Sequence, residues 1–118
     1  MLIRYKKNLE KIAMGLLSFM PEEKNVKILQ QTIKEYESNP DWHLYLWKDE
    51  DVLGAIGLRI ENQEQVVIQH ISVNPSYRNQ GIGKQMVDAV EKMYEDQYTI
   101  CGDSHTTEFY NSCEERDE

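Results

Sequence analysis

The stretch from Ile68 to Lys84, I-Q-H-I-S-V-N-P-S-Y-R-N-Q-G-I-G-K, constrains the fold of this chain more than any other. An apolar run from Val66 to Val73 predicts a strand, and Pro75 stands in a polar turn two residues beyond it. Arg78-Asn79-Gln80-Gly81-Ile82-Gly83 then opens onto Ile82, Met86, Val90 and Met93, spaced as one face of a helix. A strand that turns through glycine into a helix N-terminus makes an anion site. The first backbone N–H groups of a helix have no partner inside it, and the aligned peptide dipoles add partial positive charge there. Gly81 and Gly83 carry no Cβ, so the backbone can come close to a phosphate. The same glycines would also serve a plain strand-to-helix connection that binds nothing.

Two familiar phosphate loops fail on inspection. A Walker A loop needs Gly where Arg78 stands and Ser or Thr where Gln85 stands. A dinucleotide fingerprint needs Gly where Met86 stands. What remains is R-x-x-G-x-G behind a strand ending in V-N-P. This resembles the pyrophosphate loop of the GNAT superfamily of N-acetyltransferases, whose pattern is Q/R-x-x-G-x-G/A. Arg78, Gly81 and Gly83 fall on its fixed positions, and the longer text I-x-x-I-x-V-N-P-x-Y-R-x-x-G-I-G-K-x-M-V extends the match.

The chain read in order agrees with one mixed α/β domain. Leu2 to Tyr5 predicts a first short strand. Leu9, Ile12, Ala13, Leu16, Leu17 and Met20 predict an amphipathic helix. Pro21 with Glu22 and Glu23 starts a second helix, with Val26, Leu29, Ile33 and Tyr36 as its buried face and Asn39-Pro40 as its end. Strands follow at Trp42–Trp47, Val52–Ile60 and Val66–Val73. Their connections are too short for crossovers, so they form an antiparallel meander. Gly54 and Gly57 mark a bulge or a close approach. A helix from Ile82 to about Tyr94 crosses to a strand at Tyr98–Cys101, which must lie parallel to the central one. Thr106 or Thr107 caps a short helix holding Glu108, Phe109, Tyr110 and Asn111.

Composition narrows the function. With 118 residues the chain is the size of one domain, here residues 1–113, followed by an acidic tail at 114–118 that is expected to be disordered. A net charge of −8 disfavours nucleic acid as a partner and suits a cationic one, such as an amine, although it also fits a solvated acidic surface. No apolar run is long enough to cross a membrane, and the N-terminus has no leader pattern, so the expected location is the cytoplasm. Cys101 and Cys113 have no C-x-x-C spacing and are expected to stay reduced. His43, His70 and His105 are scattered, and no metal is expected.

The resemblance implies the rest. It implies a GNAT-like acyl-CoA N-acyltransferase fold, acetyl-CoA as cofactor with CoA as product, and acetyl transfer to a small-molecule or side-chain amine by direct attack in a ternary complex. Arg78, Asn79, Gln80, Gly81, Ile82, Gly83 and Lys84 would hold the pyrophosphate. Ile71, Ser72 and Val73 would line the pantetheine arm, which inserts between the two parallel strands, and Phe109 would pack on the cofactor. The Ile71 N–H, where family members carry a β-bulge, would polarise the thioester carbonyl. Tyr110 would return a proton to sulfur, a role a phenol can fill if it is in contact.

Two departures stand out. Val67 occupies the position where some members place a Glu base, leaving His70, Glu61, Glu64 or a water chain to a carboxylate as alternatives. Phe109-Tyr110 matches the start of the family's F-Y-x-x-x-G-F, but the Gly-Phe and the closing hairpin are missing. The edge at Thr99–Cys101 is then open, which leaves two expectations: a homodimer with the edges buried across a two-fold axis, or a partner that supplies part of the substrate wall. These departures also leave room for a CoA-binding sensor or accessory protein without chemistry. At finer grain the chain resembles a small GNAT-like protein encoded with riboflavin biosynthesis genes in some Gram-positive bacteria. Trp42, Tyr45 and Trp47 could stack on an aromatic ring, although a half-buried strand surface accounts for them as well.

Overall fold

Alternation along the strands decides which face each helix covers. In the computed structural model, which describes residues 1–116 and the side chains of 1–111, the strands are β1 (Leu2–Arg4), β2 (Trp42–Asp49), β3 (Asp51–Glu61), β4 (Gln65–Val73) and β5 (Thr99–Gly102). The helices are α1 (Glu10–Leu17), α2 (Val26–Ser38), α3 (Ile82–Tyr94) and α4 (Thr107–Arg116). All five strands form one sheet in chain order. β1 to β4 pair antiparallel, and β4 pairs β5 in parallel across the α3 crossover. The tight hairpins are closed by residues in the left-handed region: Glu50 between β2 and β3, Asn62 and Gln63 between β3 and β4.

Leu44, Leu46 and Ala55 meet Ala13, Leu16 and Leu17 of α1 and Leu29, Ile33 and Tyr36 of α2 on one face. Tyr45, Ile56, Leu58, Val66 and Ile68 meet Ile82, Met86, Val87 and Val90 of α3 on the other. Each such Leu, Ile or Val contributes about 1.5–3 kcal/mol when fully buried. Strand alternation also separates the three aromatics of β2. Trp42 faces the first helix pair, whereas Tyr45 and Trp47 face α3, so they form no shared platform.

The helix boundaries depart from the periodic pattern. α1 stops at Leu17, and Ile12, expected inside, is 46% exposed. Pro21–Glu23 is a separate 3-10 turn, and α2 begins after Asn25, whose Oδ1 accepts from the N–H groups of Lys27 (2.8 Å) and Ile28 (3.4 Å). Val26 and Met93, also expected inside, are exposed because they stand at helix ends, outside the stretch that packs on the sheet. α4 continues to Arg116, so residues 114 to 116 of the expected acidic tail are helical, and 117 and 118 lie outside the described residues. Among the described residues no helix is long and apolar enough to cross a membrane.

Two features of β4 create the site. Its register against β3 shifts at one step: His70 lies opposite Gly57 and Ile68 opposite Leu58, leaving Gln69 as the extra residue of a β-bulge. Pairing with β5 ends at Ile68 opposite Gly102. There the Ile68 carbonyl accepts from the Asp103 N–H (3.2 Å) and from the buried Thr106 hydroxyl, and the chain turns away into α4. Among the described residues β4 therefore has no sheet neighbour on that side from Gln69 to Val73, and a crevice opens between the diverging strands.

Candidate active site

The loop between β4 and α3 is built for an anion. Asn74 starts it, its Oδ1 accepting from the Ser76 N–H at 3.0 Å. Asn79 (φ 66°) and Gly81 (φ 78°) both lie in the left-handed region and turn the chain sharply from β4 into α3. Gly81 caps α3 without a side-chain acceptor, and the first intrahelical bond runs from Gln85 N–H to Gly81 O at 3.0 Å. The N–H groups of Ile82 and Gly83 thus lie in the first turn of the helix, ahead of its first backbone bond.

The two glycines serve different ends. A Cβ on Gly81 would meet nothing within 4 Å, so its requirement is the positive φ. A Cβ on Gly83 would sit 2.5 Å from Cζ of Phe109, so this glycine makes room for the ring of α4.

A cavity of about 470 Å³ extends from this loop along the free edge of β4. Ile71, Ser72, Val73, Arg78, Asn79, Gly81, Ile82, Gly83, Lys84 and Phe109, all expected at the cofactor, line it. Gln80 is exposed in the same loop but forms no part of the wall. The far wall comes from Phe19 to Glu22, after α1, and from His105.

The bulge sits at Gln69, two residues before the expected Ile71, and it sets the direction of the Ile71 amide. The Ile68 carbonyl faces β5, where it accepts from Asp103, whereas Asn74 N–H faces β3, donating to Leu53 O at 2.8 Å. Unbroken alternation would turn positions 68 and 74 to the same side. The extra residue reverses the phase, so the N–H groups of Ile71 and Val73 face the open edge. Consistently, the Val73 carbonyl lies 3.4 Å from Nε of Arg78.

Several candidates stand elsewhere. Tyr110 points along α3, its hydroxyl donating to Oε2 of Glu91 at 3.2 Å, and it is not in the cavity wall. It packs against the α3-side core and anchors α4, while its neighbour Phe109 meets the cavity. Glu61 and Glu64 flank the hairpin at the start of β4, roughly 20 Å of strand from Ile71 at the usual rise per residue. They cannot reach the crevice. Val67 is a core residue.

His70 faces away from Ile71, as strand alternation requires, and joins a buried chain of polar groups. Its Nδ1 lies 2.6 Å from the Tyr36 hydroxyl and its Nε2 lies 2.9 Å from Oε1 of Glu23. Thr32 donates to both Glu23 oxygens, at 3.1 and 2.9 Å. Gln69 Nε2 donates to the Tyr36 oxygen at 2.9 Å, and Gln69 Oε1 accepts from Arg59 at 3.0 Å. Burial raises the Tyr36 phenol far above its usual range, so it stays protonated. The network assigns the protons: Tyr36 O–H donates to Nδ1, and Nε2–H donates to Glu23. Both ring nitrogens are engaged in this chain, and His70, expected as a candidate base, offers neither of them to the larger cavity.

This chain borders a second cavity of about 220 Å³, lined by Glu22, Glu23, Thr32, Trp42, Gln69, His70, Asp103 and His105. Glu22 and His105 line both cavities. His105 Nδ1 stands 3.0 Å from Oε1 of Glu22, joining the α1–α2 connection to the β5–α4 connection. Sequence reasoning missed Glu22, Glu23 and Gln69. The two carboxylates read as charges at a helix N-terminus, and nothing in linear spacing ties position 23 to position 70; only the sheet register brings them together.

Comparison with known proteins agrees with this geometry. The sequence profile of the Acetyltransferase (GNAT) family matches residues 9–113. A Bacillus methanolicus protein described as an uncharacterized N-acetyltransferase in the lysA 3' region is 56% identical over 115 residues, covering 97% of this chain and 95% of that one. The aminoglycoside N-acetyltransferase AAC(6')-Iy, solved with CoA, superposes with a TM-score of 0.74 at 16% identity, covering 99% of this chain and 84% of its own. A GNAT family acetyltransferase from Elizabethkingia anophelis, solved with acetyl-CoA bound, gives a TM-score of 0.68 at 22% identity over 97% of this chain and 72% of its own.

Proposed function

Because the chain belongs to the GNAT family and is an acetyl-CoA-dependent N-acetyltransferase, we propose that the larger cavity holds acetyl-CoA and that transfer occurs at the free edge of β4. One observation carries this reading. The loop of left-handed residues at the α3 N-terminus and the unpaired amides of β4 border one cavity, as a ligand with a pyrophosphate and an extended arm requires. Arg78 and the amides of Ile82, Gly83 and Lys84 would take the pyrophosphate, with Asn79 and Gln80 shaping the loop. Ile71 and Val73 would pair with the arm along the strand edge, and Phe109 would cover it.

When bound, acetyl-CoA supplies a thioester carbonyl open to attack by an amine. The Ile71 N–H would donate to the carbonyl oxygen as it gains charge. It is preorganised by the bulge and needs no rearrangement. A donor of this kind is worth about 10²–10³ in turnover. The departing thiolate would find its proton from water at the open cavity, since Tyr110 is held at Glu91.

The test is an Ile71→Pro variant. At this point β4 is an edge, so proline removes the N–H without breaking a sheet bond. Acetyl-CoA binding is expected within a few-fold of wild type, with turnover reduced about 10²–10³-fold. Unchanged turnover would remove the Ile71 amide from the reaction. Melting curves check that the variant folds.

The open edge of β5 supports the homodimer expected from the sequence, with two copies pairing across a two-fold axis. Light scattering that gives a monomer at high micromolar concentration would count against it. A link to riboflavin metabolism, through likeness to the RibT proteins, rests on sequence resemblance alone. No grouping of Trp42, Tyr45 and Trp47 supports a flavin site, and the Bacillus methanolicus relative carries lysA in its description.

A further inference from the structure

Among the described residues, Oε2 of Glu22 is a buried side-chain oxygen that accepts no hydrogen bond. An orphaned carboxylate oxygen is costly and calls for a partner. Glu22 stands where the two cavities meet, with its other oxygen held by His105 at 3.0 Å. The second cavity has the size of a short aliphatic chain: about 220 Å³, or roughly seven waters at their liquid volume. Three carboxylates face it: Glu22, Glu23 and Asp103. Arg59 partly offsets Asp103 across 3.8 Å, and Glu23 is held by Thr32 and His70. Burial and like charge make this an unfavourable place for an anion and a favourable one for a cation.

We propose that the second cavity is the acceptor site, that it takes a short aliphatic amine bearing a second positive charge, and that Glu22 receives the reacting ammonium group through Oε2 and takes its proton. This rests on the larger cavity holding acetyl-CoA. The balance is simple. The ammonium gives one proton to the Glu22 carboxylate, and this leaves by way of His105, whose side chain is 52% exposed. The freed lone pair forms the new C–N bond as the C–S bond breaks; the sulfur takes a proton from water in the cavity, and the second amine proton replaces it in that water. The products are the N-acetyl amine, CoA thiol and one released proton. His70, closed on both nitrogens, holds Glu23 in place at the side of the cavity.

Putrescine, n-butylamine and gamma-aminobutyrate test the idea, because they share a four-carbon chain and differ in the second charge. Each is titrated calorimetrically into wild-type protein saturated with CoA, and each is offered as acceptor with acetyl-CoA. Putrescine is expected to bind at least about tenfold more tightly than butylamine and to be acetylated fastest, with aminobutyrate last. Glu22→Gln keeps the shape and should lower turnover of putrescine about 10²-fold or more, with acetyl-CoA affinity unchanged. Asp103→Asn, which preserves the turn, should narrow the gap between putrescine and butylamine. Equal binding of the three amines, acetyl-CoA binding without acetylation of any, or full turnover in Glu22→Gln would overturn the proposal. So would an equal loss of acetyl-CoA affinity in Glu22→Gln, which would make the residue part of the cofactor wall. Wild-type protein that binds no acetyl-CoA would instead refute the reading beneath it.

Discussion

At the residue scale, similar letters in the sequence conceal different work. R-x-x-G-x-G was legible because both glycines stand at fixed spacing behind a strand. Their separate requirements, a positive φ at Gly81 and space for Phe109 at Gly83, were not, since the second depends on a helix more than twenty residues away. Tyr110 shows the opposite case. The adjacent letters F-Y pointed to one shared role, but neighbouring helix residues project about 100° apart. Phe109 meets the cavity and Tyr110 meets Glu91. A Tyr110→Phe variant should therefore retain turnover within about threefold. It should lose stability by about one hydrogen bond's worth, roughly 0.5–1.5 kcal/mol. A hundredfold fall in turnover with binding intact would restore Tyr110 to the reaction.

At the scale of elements, the strand order and the crossover followed from loop lengths, and the layers followed from alternation. The bulge did not. Gly57 hinted at one, and the structure places it beside Gln69, where it reverses the phase of β4 and frees the Ile71 amide. Gly57 has a second duty there. A Cβ would lie 1.9 Å from the Tyr36 hydroxyl, which crosses this point to reach His70 and Gln69. Gly57→Ala should destabilise the fold by about 1–3 kcal/mol through overpacking, read from denaturant unfolding. A variant as stable as wild type would mean that Tyr36 is free to move, and the rigid polar chain described above would be wrong.

At the scale of the whole molecule, the sheet is also clamped away from the site. Arg4, Tyr45, Tyr94, His43 and the Pro40 carbonyl form a hydrogen-bonded line from β1 across β2 to α3. The Pro40 carbonyl accepts from Nε2, so Nδ1 accepts from Tyr94 and the ring is neutral. Burial lowers the His43 pKa below its usual value, although the Pro40 bond opposes the shift. The unfolded chain therefore binds the extra proton first. This contribution to stability is complete above about pH 6.5 and is lost as pH falls through the lower folded value. Unfolding free energy measured from pH 7.5 to 5.5 should fall with pH, and His43→Gln should flatten that slope. An identical slope in the variant would remove His43 from the clamp.

The central claim is that the loop at the head of α3 binds the pyrophosphate of acetyl-CoA. Calorimetric titration of acetyl-CoA into wild type and into an Arg78→Ala/Gly81→Ala double variant tests it most directly. An alanine forced to the positive φ of Gly81 costs roughly 1–2 kcal/mol or else distorts the loop. Affinity should fall by at least about tenfold, and the melting temperature by roughly 3–12 °C, so that the variant is still folded at the temperature of the titration. Equal affinity in the two proteins, or no binding to wild type at millimolar acetyl-CoA, would contradict the claim and leave the loop as only a turn between strand and helix.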